Sequence, residues 1–275
     1  MMQTPAGLLT YHVGLGPVAA PDTGGGQDAP GNEVAGGEVA ASLAPGGTLR
    51  VAINLGNPVL AQRDPVGGEP RGVSVALARE VGRRLGLPLR ITTFNGAGAV
   101  TDAGRRGEWD IAFLAIDPVR AEGITFSPPY VVIEGVYAVA EDSPLRSVDE
   151  VDRAGVRVSV GRGSAYDLFL TRTLRQAEIL RVGTSAEALQ GFGSGALEVV
   201  AGVRQPVAAY VNSHPGLRLI PGRFMVIEQA VALPLGRDVA AHWVRNFVEE
   251  AKASGFVARA LRDSGQGDAE VAPPA

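Results

Sequence analysis

Hydrophobic and polar positions along the chain follow two periods, one typical of strands and one typical of helices. Short apolar or alternating runs rich in β-branched residues predict strands over residues 48–54, 89–94, 111–116, 131–140, 155–160, 178–182, 197–203, 217–220 and 226–235. Apolar stripes at helical spacing predict helices over residues 74–85, 97–106, 165–176, 184–193, 207–213, 238–252 and 256–262.

The order of these elements decides the fold class. The first part of the chain runs β-α-β-α-β, which implies parallel strands joined by right-handed helical crossovers. A similar succession begins again near residue 155. The break between the two βαβ-rich halves falls near residues 141–148, and the chain returns near 226–235. The pattern therefore predicts an α/β protein with two doubly wound parts.

Composition limits the kinds of partner and binding site that the chain is expected to have. Hydrophobic residues make up 45% of the chain and charged residues 20%, which is enough for a sizeable core. The net charge is −4 and no basic block occurs, so nothing indicates a nucleic-acid partner. The chain has no cysteine, and its three histidines (His12, His214 and His242) lie far apart. We therefore expect neither a metal site nor a cofactor.

The two ends of the chain differ from its middle. Residues 1–46 are rich in Gly, Ala and Pro without a periodic apolar face, which predicts a disordered segment. Residues 7–18 are the best candidate for a leader, but glycines, a histidine and a proline interrupt them, so no clear signal peptide is predicted. We expect residues 264–275 to form a flexible tail. No apolar run is long enough to span a bilayer.

The stretch GEWDIAFLAIDPVRAEGITFSPPY at 107–130 carries the first candidate site. Its apolar run over 111–116 predicts a buried strand, which stops at Asp117 and Pro118. Arg120 follows in the loop, where ligands commonly bind in open α/β sheets. Its guanidinium could hold a carboxylate through two parallel hydrogen bonds. Pairing with Glu122 on the surface is the alternative.

A second candidate site follows the strand at 155–160. The turn GRGS at 161–164 leads directly into a helix, and Ser164 with Asp167 forms a capping pattern. A helix N-terminus placed after a glycine turn suits an anion. Most turns of this kind only connect two elements, so both interpretations stay open.

Several segments together resemble a known family. They occur in family order and with family spacing, and they cover about residues 47–262: GTLRVAI at 47–53, RGVSVALAREVGRRLGLPL at 71–89, GEWDIAFLAIDPVRA at 107–121, FSPPYVVIEGVYAV at 126–139, GVRVSVGRGSAYDLFL at 155–170 and RQPVAAYV at 204–211. The chain resembles the type II periplasmic solute-binding proteins of family 3, which serve importers of polar amino acids. The resemblance is specific for the fold and much less so for the ligand.

The resemblance implies a two-lobed type II fold, with a doubly wound, mostly parallel sheet in each lobe and a hinge of two strands. Lobe one would comprise residues 47–138 plus 232–263, and residues 139–231 would form the hinge strands and lobe two. Hinges would lie near 138–142 and 230–234. The protein would be a monomer that closes on a small carboxylated solute, passes it to an ABC permease, and works in the periplasm or outside the cell.

The family's site can be carried over residue by residue. Arg120 falls on the carboxylate-binding arginine. Gly163, Ser164 and Ala165 fall on the turn of lobe two that also meets the acid group. Ala115 stands where many members have threonine, so only its backbone N–H could contribute.

Three further positions border these residues. The turn at 54–59, which includes Asn57, falls on a wall that usually carries an aromatic residue, but here that residue is Val59. Asp117 and Tyr130 border the arginine loop and could orient it. Asp117 is also a common turn-former before proline.

The largest departure from the family pattern concerns the position that binds the amino group of a ligand. Many members have an aspartate just before the X-Pro pair of lobe two, whereas this chain has Arg204. If Arg204 faces the cleft, two cations would favour a second anionic group over an ammonium; the alternative is that it points to solvent. Glu134 and Glu228 could replace the missing carboxylate, or could be solvated strand residues.

The favoured function is therefore a non-enzymatic binding protein for a small amino or organic acid, serving an ABC importer. Some proteins that resemble this family are dehydratases of cyclic carboxylates such as prephenate, for which Glu134 or Glu228 would be the candidate general acid. A sensor domain that works without a transporter is a third possibility.

Overall fold

The computed structural model describes residues 9–13, 30–193 and 197–275. The strands are β1 (Leu9–Val13), β2 (Leu49–Asn54), β3 (Gln62–Arg63), β4 (Pro70–Arg71), β5 (Leu89–Phe94), β6 (Ile111–Ala115), β7 (Ile124–Ala140), β8 (Arg157–Gly161), β9 (Glu178–Val182), β10 (Val199–Val203), β11 (Leu217–Leu219), β12 (Met225–Pro234) and β13 (Glu270–Val271). The helices are α1 (Pro30–Leu43), α2 (Val73–Leu85), α3 (Ala97–Arg105), α4 (Pro118–Ala121), α5 (Ala165–Thr173), α6 (Ser185–Gly193), α7 (Arg204–Ser213), α8 (Asp238–Ala253) and α9 (Phe256–Asp263).

The fold has the two lobes that the sequence predicts. The main sheet runs in the order β1-β5-β2-β6-β12-β7-β10-β8-β9. In lobe one, β5, β2 and β6 are parallel neighbours, and in lobe two β10, β8 and β9 are parallel neighbours. The boundaries given above for the lobes and hinges stay predictions.

Two long antiparallel strands, β7 and β12, join the lobes. The sequence predicts a loop before residue 131, but β7 already begins at Ile124. Pro128 and Pro129 have no N–H to donate, and the register between the two strands shifts beside them. Beside this shift, Oγ of Ser127 accepts a hydrogen bond from the N–H of Val231 (3.0 Å). A side chain thus satisfies a backbone donor of β12 where the pairing of the two strands is irregular.

The prediction of disorder over residues 1–46 is wrong for the part that the structure describes. β1 pairs with β5, and α1 packs on α8. Val39 and Leu43 are buried, and the guanidinium of Arg237 donates to the carbonyl of Leu43. Glycines weaken the apolar pattern of this segment, and the partners that stabilise it lie about 200 residues away in the chain. Residues 1–8 and 14–29, with most of the leader candidate, lie outside the described residues.

The prediction of a flexible tail over 264–275 is also wrong. β13 pairs with residues 131–132 of β7, and the N–H of Ala272 donates to the carbonyl of Tyr130 (3.1 Å). Ala269 and Ala272 are buried, and Nζ of Lys252 donates to the carbonyl of Pro273 (2.7 Å). The tail is held mainly by backbone hydrogen bonds, which a side-chain pattern does not reveal.

Deleting residues 269–275 should lower the free energy of unfolding by about 2–4 kcal/mol, since several hydrogen bonds worth about 1 kcal/mol each are lost. Urea denaturation followed by circular dichroism measures this change. Glu270→Ala is the control, because it removes only an exposed side chain and should stay within about 0.5 kcal/mol. A deletion variant as stable as the parent would show that the tail contributes nothing.

Candidate functional site

A cavity of about 40 Å³ lies between the two lobes. It opens at the carboxyl ends of β2, β6 and β10, which contribute Asn54, Ala115 and Val203. This end of the strands is where open α/β sheets usually bind ligands. The described residues that line it are Asn54, Gly56, Asn57, Gly96, Ala97, Phe113, Leu114, Ala115, Arg120, Ser164, Ala165, Tyr166, Ser185, Val203, Ile227 and Gln229.

Four helices begin at this cavity. Ala97, Ala165 and Ser185 are the first residues of α3, α5 and α6, and Val203 is the N-cap of α7; all four line the cavity. The first N–H groups of a helix have no partner within the helix, and the helix dipole places partial positive charge there. The helix ends therefore favour negative charge in the cavity.

Arg120 contributes the charged group of the cavity. Asp117 caps α4 by accepting a hydrogen bond from the N–H of Val119 (2.9 Å), which fixes the turn that carries the arginine. The Arg120 residue is only 2% exposed. Its Nη1 donates to the carbonyl of Ala115 (2.9 Å) in lobe one, and its Nη2 donates to the carbonyl of Gly163 (2.8 Å) in lobe two.

The guanidinium of Arg120 has no anionic partner among the described residues. Within the part of the chain that the structure describes, its Nε is buried without a hydrogen-bond partner, and no carboxylate lies within ion-pair distance. Burial lowers the pKa of Arg120, and the negative charge of Asp117 partly opposes this effect. The resulting pKa is about 10. The group is thus still a cation at neutral pH. An uncompensated buried cation is costly unless an anion joins it.

The buried carboxylates nearest to the arginine have other partners. Asp117 accepts a hydrogen bond from Arg172 (2.8 Å). Asp167 accepts hydrogen bonds from Arg181 (2.8 Å) and from the N–H of Gly163 (2.8 Å). Each carboxylate is therefore neutralised by a different arginine, and Arg120 keeps its net charge.

The two lobes touch on one side of the cavity. A Cβ added to Gly98 of α3 would lie 2.9 Å from the carbonyl oxygen of Arg162, and one added to Gly163 would lie 2.7 Å from Cα of Gly98. Gly163 also has a positive φ of 68°, which favours glycine. Together with the pair between Asp117 and Arg172, these contacts hold the lobes in a closed arrangement.

A family model for bacterial extracellular solute-binding proteins, family 3, matches residues 49–263. The chain belongs to this family. The prediction of a family 3 solute-binding protein is thus confirmed, as is the two-lobed fold of this class. No relative is found among the curated proteins.

Solved structures similar to this family 3 protein share its fold at low identity. A mutant of ArgBP from T. maritima has a TM-score of 0.71 and 21% identity, with 82% of this chain and 99% of that chain covered. A solute receptor for L-cysteine of Neisseria gonorrhoeae has a TM-score of 0.71 and 19% identity, with coverage of 82% and 92%. An ancestral amino acid-binding protein, a precursor of cyclohexadienyl dehydratase, has a TM-score of 0.67 and 23% identity, with coverage of 80% and 96%.

Half of the site residues predicted for this solute-binding protein line the cavity. They are Asn57, Ala115, Arg120, Ser164 and Ala165. Their contacts with a ligand stay predictions. The capping interaction predicted for the turn of lobe two is present, since Oγ of Ser164 accepts a hydrogen bond from the N–H of Asp167 (3.1 Å).

Arg204 and Glu134 lie outside the cavity lining of the solute-binding protein. They form an ion pair with each other, and Nη1 of Arg223 donates to the second oxygen of Glu134 (2.6 Å). Nη2 of Arg204 also donates to the carbonyl of Gly222 (2.7 Å). The predicted reversal of charge at Arg204 is therefore cancelled locally by Glu134.

The other three predicted residues take supporting positions. Tyr130 is fully buried in the core of lobe one, where its hydroxyl lies 3.1 Å from Oγ of Ser74. Asp117 caps α4 and pairs with Arg172. Gly163 meets Arg120 through its carbonyl and stands in the contact between the lobes.

Several residues of the cavity were not predicted, among them Tyr166, Ser185 and Gln229. Gln229 is only 5% exposed, and it lies opposite Ala115 in the pairing of β12 with β6. The alternation of β12 carries the signal: Ile227 and Gln229 are buried while Glu228 between them is exposed. A polar residue on the buried face of an otherwise apolar strand marks a candidate site.

No cluster of three or more His, Cys, Asp or Glu residues suited to a metal ion occurs within the described ranges. In the same ranges, no helix is long and apolar enough to cross a membrane.

Proposed function

We propose that this protein captures a small carboxylated solute between its two lobes and delivers it to an ABC-type importer. The observation that supports the proposal is Arg120, a buried cation that lines the cavity without an anionic partner among the described residues. A carboxylate would accept hydrogen bonds from its free N–H groups and would neutralise the buried charge. Membership of a bacterial extracellular family supports a role outside the cytoplasm.

Closure would follow from the contacts that Arg120 makes in both lobes. One N–H group reaches the carbonyl of Ala115 and another reaches that of Gly163. A ligand bound at the arginine would also meet the N-termini of α3 in lobe one and α5 in lobe two. A ligand that contacts both lobes favours the closed state by its difference in affinity for the two states.

Enzymatic dehydration is not favoured. No carboxylate or histidine lines the cavity among the described residues, so the groups named above for a dehydratase are not in place as a general acid. Glu134 is held by two arginines, and Glu228 is exposed on the other face of β12. The similar ancestral structure is itself described as an amino acid-binding protein.

Thermal denaturation with a panel of small acids tests the proposal. At a concentration about 100 times its Kd, a bound acid adds about 2.7 kcal/mol to the free energy of unfolding. For a chain of this size, that should raise Tm by roughly 5–10 °C. Propionate, pyruvate, L-lactate and L-alanine are suitable probes, and propionamide and lactamide are neutral controls of similar shape. A folded chain that responds to no acid, or equally to acids and amides, would refute the proposal.

A further inference from the structure

Three polar side chains that line the cavity, Asn54, Asn57 and Ser164, have hydrogen-bond donors left over. Oδ1 of Asn54 already accepts from the N–H of Gly56 (2.9 Å), and Oδ1 of Asn57 accepts from the N–H of Val59 (3.3 Å). Their Nδ2 groups remain as donors. Oγ of Ser164 accepts from the N–H of Asp167, which leaves its O–H to donate. With the helix N-termini, these groups suit oxygen atoms of a ligand.

An ammonium group of a ligand would find no charged acceptor among the described residues that line the cavity. It needs up to three acceptors and usually a carboxylate. Arg120 is the only charged residue among the described residues that line the cavity. The carbonyls of Ala115 and Gly163 already accept from that arginine, and Asp117 and Asp167 are paired elsewhere. A second positive charge would also be repelled by Arg120 and by the helix ends.

A second carboxylate on the ligand would also find no partner of opposite charge among the described residues that line the cavity. Arg204, the other arginine considered from the sequence, is paired with Glu134 and lies outside the cavity lining. The described lining residues include one buried cation and no anion. The cavity can therefore balance one negative charge on a ligand. The volume of about 40 Å³ favours a short acid.

From this charge balance we infer that the solute is a short monocarboxylate without an ammonium group, such as a 2-hydroxy or 2-oxo acid. The inference rests on the proposed function and narrows it. The hydroxyl or carbonyl oxygen beside the carboxylate would accept from the side-chain amides and helix N–H groups. Gln229 would complete this set, because it lines the same cavity and lies opposite Ala115 in the pairing of β12 with β6.

Matched pairs of ligands test the inference by isothermal titration calorimetry at neutral pH. Each pair has the same carbon skeleton and differs in the amino group: L-alanine with L-lactate, L-valine with 2-hydroxyisovalerate, and L-aspartate with L-malate. We expect at least one monocarboxylic hydroxy acid to bind at least about tenfold more tightly than its amino acid, a difference that one repelled charge readily exceeds.

The outcomes separate this inference from the proposed function. Amino acids that bind as tightly as their hydroxy partners, or tighter, would overturn the inference and leave a carboxylate-binding protein. L-Malate as the tightest ligand would overturn the assignment of a single negative charge. If no acid of either series binds to the folded chain, both the proposed function and the inference fail.

A charge placed in the cavity gives an independent test. Gln229→Glu changes the shape of the side chain very little and adds a negative charge beside Arg120. It should weaken binding of the preferred hydroxy acid at least about tenfold, because the buried cation is then already balanced. Val226→Glu is the matched control: it adds the same charge to the exposed face of the same strand and should bind as the parent does. Parental affinity in Gln229→Glu would overturn the charge argument.

Discussion

Replacing Arg120 by alanine should abolish measurable binding of small carboxylates. Truncating one partner of a buried, hydrogen-bonded charge pair costs about 2–5 kcal/mol, which is a loss of roughly 30-fold to 4,000-fold in affinity. The ligand would lose its counter-charge and the bridge between Ala115 and Gly163 would be removed. Isothermal titration of the preferred acid measures the effect.

Two further variants separate charge from geometry. Arg120→Lys keeps the cation but loses the planar fork that reaches both lobes, so it should retain only part of the affinity. Arg106→Ala removes an exposed arginine of lobe one that pairs with Glu108, and it should bind as the parent does. An Arg120→Ala protein that is folded and binds at parental affinity would reject the assigned role.

Substituting valine for Gly98 should prevent full closure of the lobes. The added Cβ would lie 2.9 Å from the carbonyl oxygen of Arg162 and 3.3 Å from Cα of Gly163. Because both neighbours are backbone atoms, the lobes must move apart to relieve the overlap. Overpacking of this kind costs about 1–3 kcal/mol, and affinity should fall roughly fivefold to 150-fold. Lobe one should remain folded, since valine is compatible with α3.

Small-angle X-ray scattering with saturating acid detects the change in closure, and titration gives the affinity. Ala99→Val is the control, because residue 99 is exposed on the same helix. If Gly98→Val closes and binds like the parent, the contact between the two glycines does not limit closure.

The arginine and the turn of lobe two could be predicted because their signals are local. A buried strand that stops at Asp117 and Pro118 places Arg120 at a strand end, and the spacing from Ser164 to Asp167 marks a helix start. These patterns need no knowledge of the rest of the chain. Ala115 and Ala165, by contrast, were predicted only through the resemblance to family 3.

The remaining site residues depend on contacts between distant segments. Nothing near Arg204 in the sequence indicates that Glu134, 70 residues earlier, neutralises it. Gln229 faces the cavity only because β12 lies beside β6 with a fixed register. Gly98 matters through its contact with lobe two, which no periodicity in α3 reveals.

The structure of the two chain ends also depends on contacts with distant segments, which local sequence patterns do not reveal. α1 contains several glycines and was predicted to be disordered, but α8 and Arg237 supply the packing and hydrogen bonding that its own sequence lacks. Residues 270–271 have no strand pattern and pair with β7 through backbone groups alone. Tertiary contacts here override weak local propensity.

The alternation along β12 sets how easily the ligand class could change during evolution. Successive side chains of a strand face opposite sides, so a shift of one residue exchanges the inner and outer sets. Gln229 faces inward, and Glu228 lies next to it on the outside. A one-residue slip of this strand would bring Glu228 to the inner face, but it would also displace every buried residue of a strand that is paired on both sides. A change of charge at this wall of the cavity would therefore have to come from a substitution at position 229 itself.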